Sequence, residues 1–162
     1  MAQKKKKILS IAAVLIIAGL LVGGGIGLYM FNMPHRDVQD SSSDFSLTST
    51  QLVNEYFTNS AEANDKYLAE DGESKILEIT GTVESVGENY NDQKVVLLKE
   101  TNDKAGVSCI FIAESGSKAA KLKPGETITI KGVIRSGAAY DEDLGLYEHV
   151  ILDKSDIVSG KK

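Results

Sequence analysis

The chain has 162 residues and a formal charge of −5, from 23 acidic and 18 basic side chains. That balance counts against a polyanionic partner. The single cysteine, Cys109, excludes a disulfide within the chain, and the two histidines, His35 and His149, lie in different regions, so no His/Cys cluster has zinc spacing.

Residues 1–7 read as a basic cytoplasmic tail containing Lys4, Lys5, Lys6 and Lys7. Residues 8–31 then hold one polar side chain, Ser10. As a helix at about 1.5 Å per residue this run reaches ~36 Å, enough to cross a hydrocarbon core of about 30 Å. A cleavable leader has a shorter apolar core of about 7–15 residues and a small-residue cleavage site. Here the run closes on the bulky Leu28-Tyr29-Met30-Phe31, and no cysteine follows for lipid attachment. The sequence predicts an uncleaved transmembrane anchor in the lipid bilayer; the Ala and Gly content of the run leaves cleavage as the alternative. Basic flanks stay inside. The expected placement is therefore single-pass in the cytoplasmic membrane, with the N-terminus inside and the remainder extracytoplasmic. Gly19, Gly23 and Gly27 fall every fourth residue on one helix face. Such a stripe allows two helices to approach closely, as in a homodimer, although glycine is also common in membrane helices generally.

Past the anchor, all 23 acidic but only 14 of the 18 basic residues remain, a formal charge of −9 on one domain's length of chain. Residues 32–47 read as a linker: Pro34 ends the anchor helix, and Ser41-Ser42-Ser43-Asp44 has a flexible composition. Residues 48–70 form a helical segment. Thr48-Ser49-Thr50-Gln51 matches a capping box with Thr48 as N-cap. Leu52, Tyr56 and Phe57 lie on one face. Ser60 is the candidate N-cap of a second short helix carrying Ala63 and Tyr67. Helices this short need a surface to pack on.

Over residues 75–158 the apolar period becomes two. In KILEITGTV, Leu77, Ile79, Gly81 and Val83 share a side; in TITIKGVIRS, Ile128, Ile130, Gly132 and Ile134 do so. Alternation with β-branched residues predicts half-buried strands, and the inward glycines mark bends or bulges. KVVLLKE and GVSCIFIAE are apolar on both faces and read as strands covered on both sides. Cys109 in the second run reads as a core residue. SGSKAAKLK is a short helix stopped by Pro124-Gly125, YEHVILDKSDIV a last strand, and 159–162 a tail. Three strands, a helix and two strands is the order of a five-stranded OB-like Greek-key barrel. The expected class is mainly β (α+β), with the helix pair covering one face or end.

Asn32-Met33-Pro34-His35-Arg36-Asp37 after a membrane helix resembles the tRNA_anti-like family of bacterial envelope proteins. So does Leu52…Tyr56-Phe57…Ala63…Tyr67 before an ITGTV-type strand, followed by VSCIF and GETITIKGVI. The likeness covers most of residues 29–158. It implies an OB-like fold and no activity, and there are no family catalytic residues to carry over.

OB-folds bind strands across their second and third strands, with the first and last hairpin loops as clamps. The loops here, GENYNDQ and GAAYDEDLGL, offer Tyr90 and Tyr140 but also Glu88, Asp92, Asp141, Glu142 and Asp143. Lys94, Lys99, Lys131 and Arg135 supply positive charge without forming an evident groove. Acidic clamps oppose the phosphate attraction on which single-strand binding depends. The acidic turn after Tyr140 lacks the full twelve-residue calcium pattern. No nucleophile, base or metal set is present, so neither enzyme activity nor a cofactor is expected. The sequence predicts an envelope binding or scaffold module. Its ligand-binding candidates are Tyr90, Tyr140, Lys94, Lys131 and Arg135, and its partner is protein or glycan; oligonucleotide binding is the alternative.

Overall fold

The structure, a computed structural model, describes residues 22–26 and 37–158. Residues 22–26 are helical, and a Cβ added at Gly23 would meet nothing within 4 Å. Among the described residues no helix is long and apolar enough to cross a membrane. The rest of the expected span, including Gly19 and Gly27, lies outside the described residues, as do the two tails. The chain divides into two units, residues 1–37 and 38–162.

The second unit runs β1 (Phe45–Thr48), α1 (Ser49–Thr58), α2 (Ser60–Tyr67), β2 (Ile76–Glu88), β3 (Lys94–Leu98), β4 (Val107–Phe111), α3 (Ala113–Ala119), β5 (Thr127–Ser136), β6 (Ala139–Asp141), β7 (Leu146–Glu148) and β8 (Val150–Ile157). β2 is antiparallel to β3 along its second half and to β5 along its first. β3 pairs with β4, while β8 joins β4 in parallel and β5 antiparallel. The ring β2-β3-β4-β8-β5 thus closes on itself, with α3 between β4 and β5 along the chain, which is the OB arrangement.

Alternation decides what fills the ring. Leu77, Ile79, Val83, Val96, Leu98, Cys109, Phe111, Ile130, Ile134 and Leu152 are all buried and form one core with the helices. Each such aliphatic or aromatic side chain contributes roughly 1.5–3 kcal/mol. Burial raises the Cys109 thiol pKa strongly, which leaves an inert core residue. The two inward glycines do different jobs. The β5–β8 register shifts across Gly132, a bulge, and a Cβ there would lie 2.7 Å from Ser155 Oγ. At Gly81 a Cβ would lie 2.7 Å from Ser49 Oγ, because α1 approaches the barrel there.

The capping box forms: Gln51 N donates to Thr48 Oγ1 at 3.1 Å and Thr48 N to Gln51 Oε1 at 2.9 Å. Leu52, Val53 and Tyr56 face the core, and Tyr67 of α2 is fully buried beside them. Ser60 does not cap α2. Asn59 stays extended, ends α1, and accepts from Glu62 N at 3.3 Å, so Ser60 is already helical.

Three further expectations change. The linker 32–47 is not a free tether from Val38 onward. Val38 is buried with Ile76 and Val133 on the outside of the barrel. Gln39 Nε2 donates to Lys154 O at 2.6 Å, Lys131 Nζ donates to the carbonyls of Gln39 and Ser41, and Asp44 exchanges bonds with the Ile76 backbone. Phe45–Thr48 then adds to β2 as a parallel strand. A polar composition read as flexible is held by backbone pairing, which composition does not encode. Secondly, β3 and β4 are covered on one side only: Val95, Leu97 and Ile110 on the other are half-buried. Thirdly, the last run divides at His149 into β7 and β8, because β7 turns back to pair with β6.

Candidate functional site

The five ligand-binding candidates are not brought together. Tyr90 stands fully exposed on the β2–β3 turn, which Asn89 holds by accepting from Asn91 N at 2.9 Å and Gln93 N at 3.0 Å. Lys94 pairs with Glu88 across that hairpin, and Arg135 with Asp153 at 3.4 Å. Lys131 is spent on the carbonyls of residues 39 and 41. Tyr140 sits on β6, beyond the other end of β3 and β4, where Leu98, Val107 and Val150 are neighbours. Five strand residues at about 3.3 Å each put ~17 Å between the two ends. Between them the outer face of β3 and β4 forms a shallow groove of about 360 Å³, lined by Val95, Leu97, Ile110, Ser85, Ser108 and their neighbours, without an aromatic or basic side chain.

A different surface gathers around Tyr140. It pairs across the hairpin with Tyr147, ring centroids 4.8 Å apart. Tyr147 meets Phe57 of α1 edge-to-face at 5.6 Å, and Lys104 Nζ lies 5.6 Å from the Tyr147 ring. These groups line a groove of about 440 Å³ together with Val53, Asn54, Asn102 and Asp103. That volume is within the range of ligand sites. Phe57, Tyr140 and Tyr147 are 37%, 50% and 39% exposed, and Leu144 and Leu146 beside them are 70% and 60% exposed. Exposed large apolar side chains gathered on one hairpin are what an interaction surface requires.

Local chemistry builds this surface. Gly145, at φ +66°, closes the β6–β7 turn; its N–H donates to Asp141 O at 2.8 Å, and Leu144 N donates to the Asp141 carboxylate at 2.9 Å. Asp141 thereby serves the turn, and among the described residues no cluster of His, Cys, Asp and Glu is placed to hold a metal. Gly137, at the hairpin's base, packs its backbone against the Tyr56 ring, leaving no room for a side chain. At the other base His149 Nδ1 accepts from Gly106 N at 3.0 Å. Burial, then the charge of Lys99, lower the His149 pKa, while Glu84 pulls the other way. The neutral ring is what can accept that bond. Asp103 accepts from Thr50 Oγ1 at 2.6 Å and so ties the β3–β4 loop to α1.

Sequence reasoning finds Tyr140 but not its companions. Phe57 reads as helix core, yet it faces outward beside buried Tyr56. Tyr147 reads as strand. The available signal is two tyrosines flanking DEDLG, the spacing of a short hairpin that pairs them. A second groove, about 490 Å³ between α1 and α2, has most of its polar groups engaged: Glu55 accepts from Lys66 and Tyr67, both at 2.8 Å, and Gln51 and Asn59 serve as caps.

The closed ring with its interposed helix defines an OB-fold domain. The chain belongs to the tRNA_anti-like family, whose pattern it matches over residues 1–142. Comparison with curated protein sequences finds no match. Among solved structures it is similar to a lipoprotein of Klebsiella pneumoniae subsp. pneumoniae MGH 78578 to which nucleic-acid binding is ascribed. That likeness has 16% identity and a TM-score of 0.51, covers 78% of this chain and 100% of that one, and establishes a shared fold. Slighter likenesses join it to the S. pombe Stn1–Ten1 complex (15% identity, TM-score 0.36, 52% of this chain and 59% of that) and to OBody NL8 bound to hen egg-white lysozyme (18%, 0.37, 54% and 99%). Neither carries a functional argument.

Proposed function

We propose that this protein is a non-enzymatic binding module of the bacterial cell envelope, anchored in the cytoplasmic membrane by residues 8–31 with its OB domain outside. It engages its partner through the surface built by Phe57, Tyr140 and Tyr147. The observation that carries the reading is this group of exposed rings, continuous with exposed Leu144 and Leu146. The apolar, lysine-flanked N-terminal run supports the anchor. A photocrosslinking residue at Tyr147 in intact cells should give a discrete adduct, and the same residue at Lys121, beyond α3, should not. No adduct, or equal adducts from both positions, overturns the reading.

A second reading, single-stranded nucleic acid, is favoured by the exposed tyrosine rings and by the function ascribed to the Klebsiella neighbour. The charge around the rings opposes it: Asp141, Glu142, Asp143 and Glu148 share the hairpin, against Lys104. It requires oligonucleotide affinity that falls steeply with salt.

A further inference from the structure

We infer that the groove between α1, the β3–β4 loop and the β6–β7 hairpin is a subsite for an uncharged sugar unit of a glycan. The inference rests on the proposed reading and names its ligand class.

Three features of the groove converge on that chemistry. Three of its lining side chains are rings: Tyr147 touches both Phe57 and Tyr140, and all three are partly exposed. A pyranose presents flat C–H faces that desolvate against such surface while its edges keep hydroxyls for hydrogen bonds. Its remaining polar lining is two amides, the Lys104 amine and the Asp103 carboxylate, which already accepts from Thr50 Oγ1. Among the described residues Asn54 and Asn102 make no side-chain hydrogen bond, and Lys104 Nζ is engaged only with the Tyr147 ring. An amide donates and accepts at once, which suits a hydroxyl that does the same. Its rim is acidic, with Asp141, Glu142, Asp143 and Glu148 on the hairpin that supplies two of the rings. An anionic ligand is repelled there, whereas a neutral one is not. A volume of about 440 Å³ holds one or two sugar rings, not a globular partner. The site is also separate from the outer face of β3 and β4, because α1, which precedes the barrel, supplies one wall.

The test uses the full chain in lipid nanodiscs, which avoids glycoside detergents, titrated calorimetrically with the neutral tetrasaccharides of N-acetylglucosamine, glucose and galactose, and with an oligothymidylate. At least one sugar should bind saturably, unchanged by raising salt to ~0.5 M. Tyr147→Ala and Asn102→Ala should each weaken it by about tenfold or more, and Tyr147→Phe should keep most of the affinity. Tyr90→Ala, on the opposite hairpin, should not alter it. Absence of sugar binding, or binding indifferent to Tyr147→Ala in a variant with unchanged circular dichroism, overturns the inference; so does binding of the oligothymidylate alone. A crosslinked protein adduct from Tyr147 without sugar binding sinks this inference and leaves the proposed reading standing. Failure of both experiments sinks both.

Discussion

Tyr56 shows how a single residue can be both essential and imperfect. Its ring fills the space between α1 and the backbone of Gly137, but its hydroxyl is buried and without a partner among the described residues. Burial, then Tyr67 and Glu55, push its pKa up to about 12. An unpaired buried hydroxyl costs roughly 1–3 kcal/mol. Tyr56→Phe keeps the ring and removes that cost, so stability in urea should hold or rise with an unchanged slope; a loss beyond ~1 kcal/mol would contradict this. His149 makes a different prediction. Its folded-state pKa is lowered from 6.5, so the unfolded chain takes up the proton more readily. The neutral ring's contribution is fully present above pH 6.5 and is lost as pH falls from there toward the folded-state value. The thermal midpoint should therefore drop on acidification through that window, and His149→Gln should flatten the drop. Parallel profiles would show that the bond to Gly106 does not carry this pH dependence.

At the scale of elements, the segment from Val38 to Asp44 is the clearest departure from expectation. It has little propensity of its own and is held by what it lies on: a three-residue apolar cluster, the ammonium of Lys131 and the backbone of Ile76. Lys131→Met removes two charge-assisted bonds and leaves the inward core intact. Amide exchange should then accelerate over residues 39–43 while β4 and β8 keep their protection. Equal acceleration throughout would mean that the segment stabilises the whole barrel. Elements that carry their own signal behaved as read. The capping box at Thr48 and the alternating rows of β2 and β5 are local patterns whose physics operates within a few residues. Ser60 failed as a cap because Asn59, one residue earlier, offered the same chemistry with a backbone already extended.

For the whole molecule, the remaining prediction concerns placement. A periplasm-active phosphatase fused after Ser159 should be active and a cytosol-only fluorescent reporter in its place should be dark. The reverse pattern would remove the anchor, the envelope partner and the glycan together. The sequence by itself determined the ring of strands, because alternation along each strand already states which side must leave water. It also carried the family likeness, in short motifs spread along the chain from Asn32 to Ile134. Only the tertiary structure decided which tyrosine has neighbours and which lysines are already engaged. Phe57, Lys104 and Tyr147 come from three separate stretches of chain, and Lys131 meets residues some ninety positions earlier. Contacts of that range depend on how the barrel closes and where the helices settle on it, and no local pattern of side chains records them.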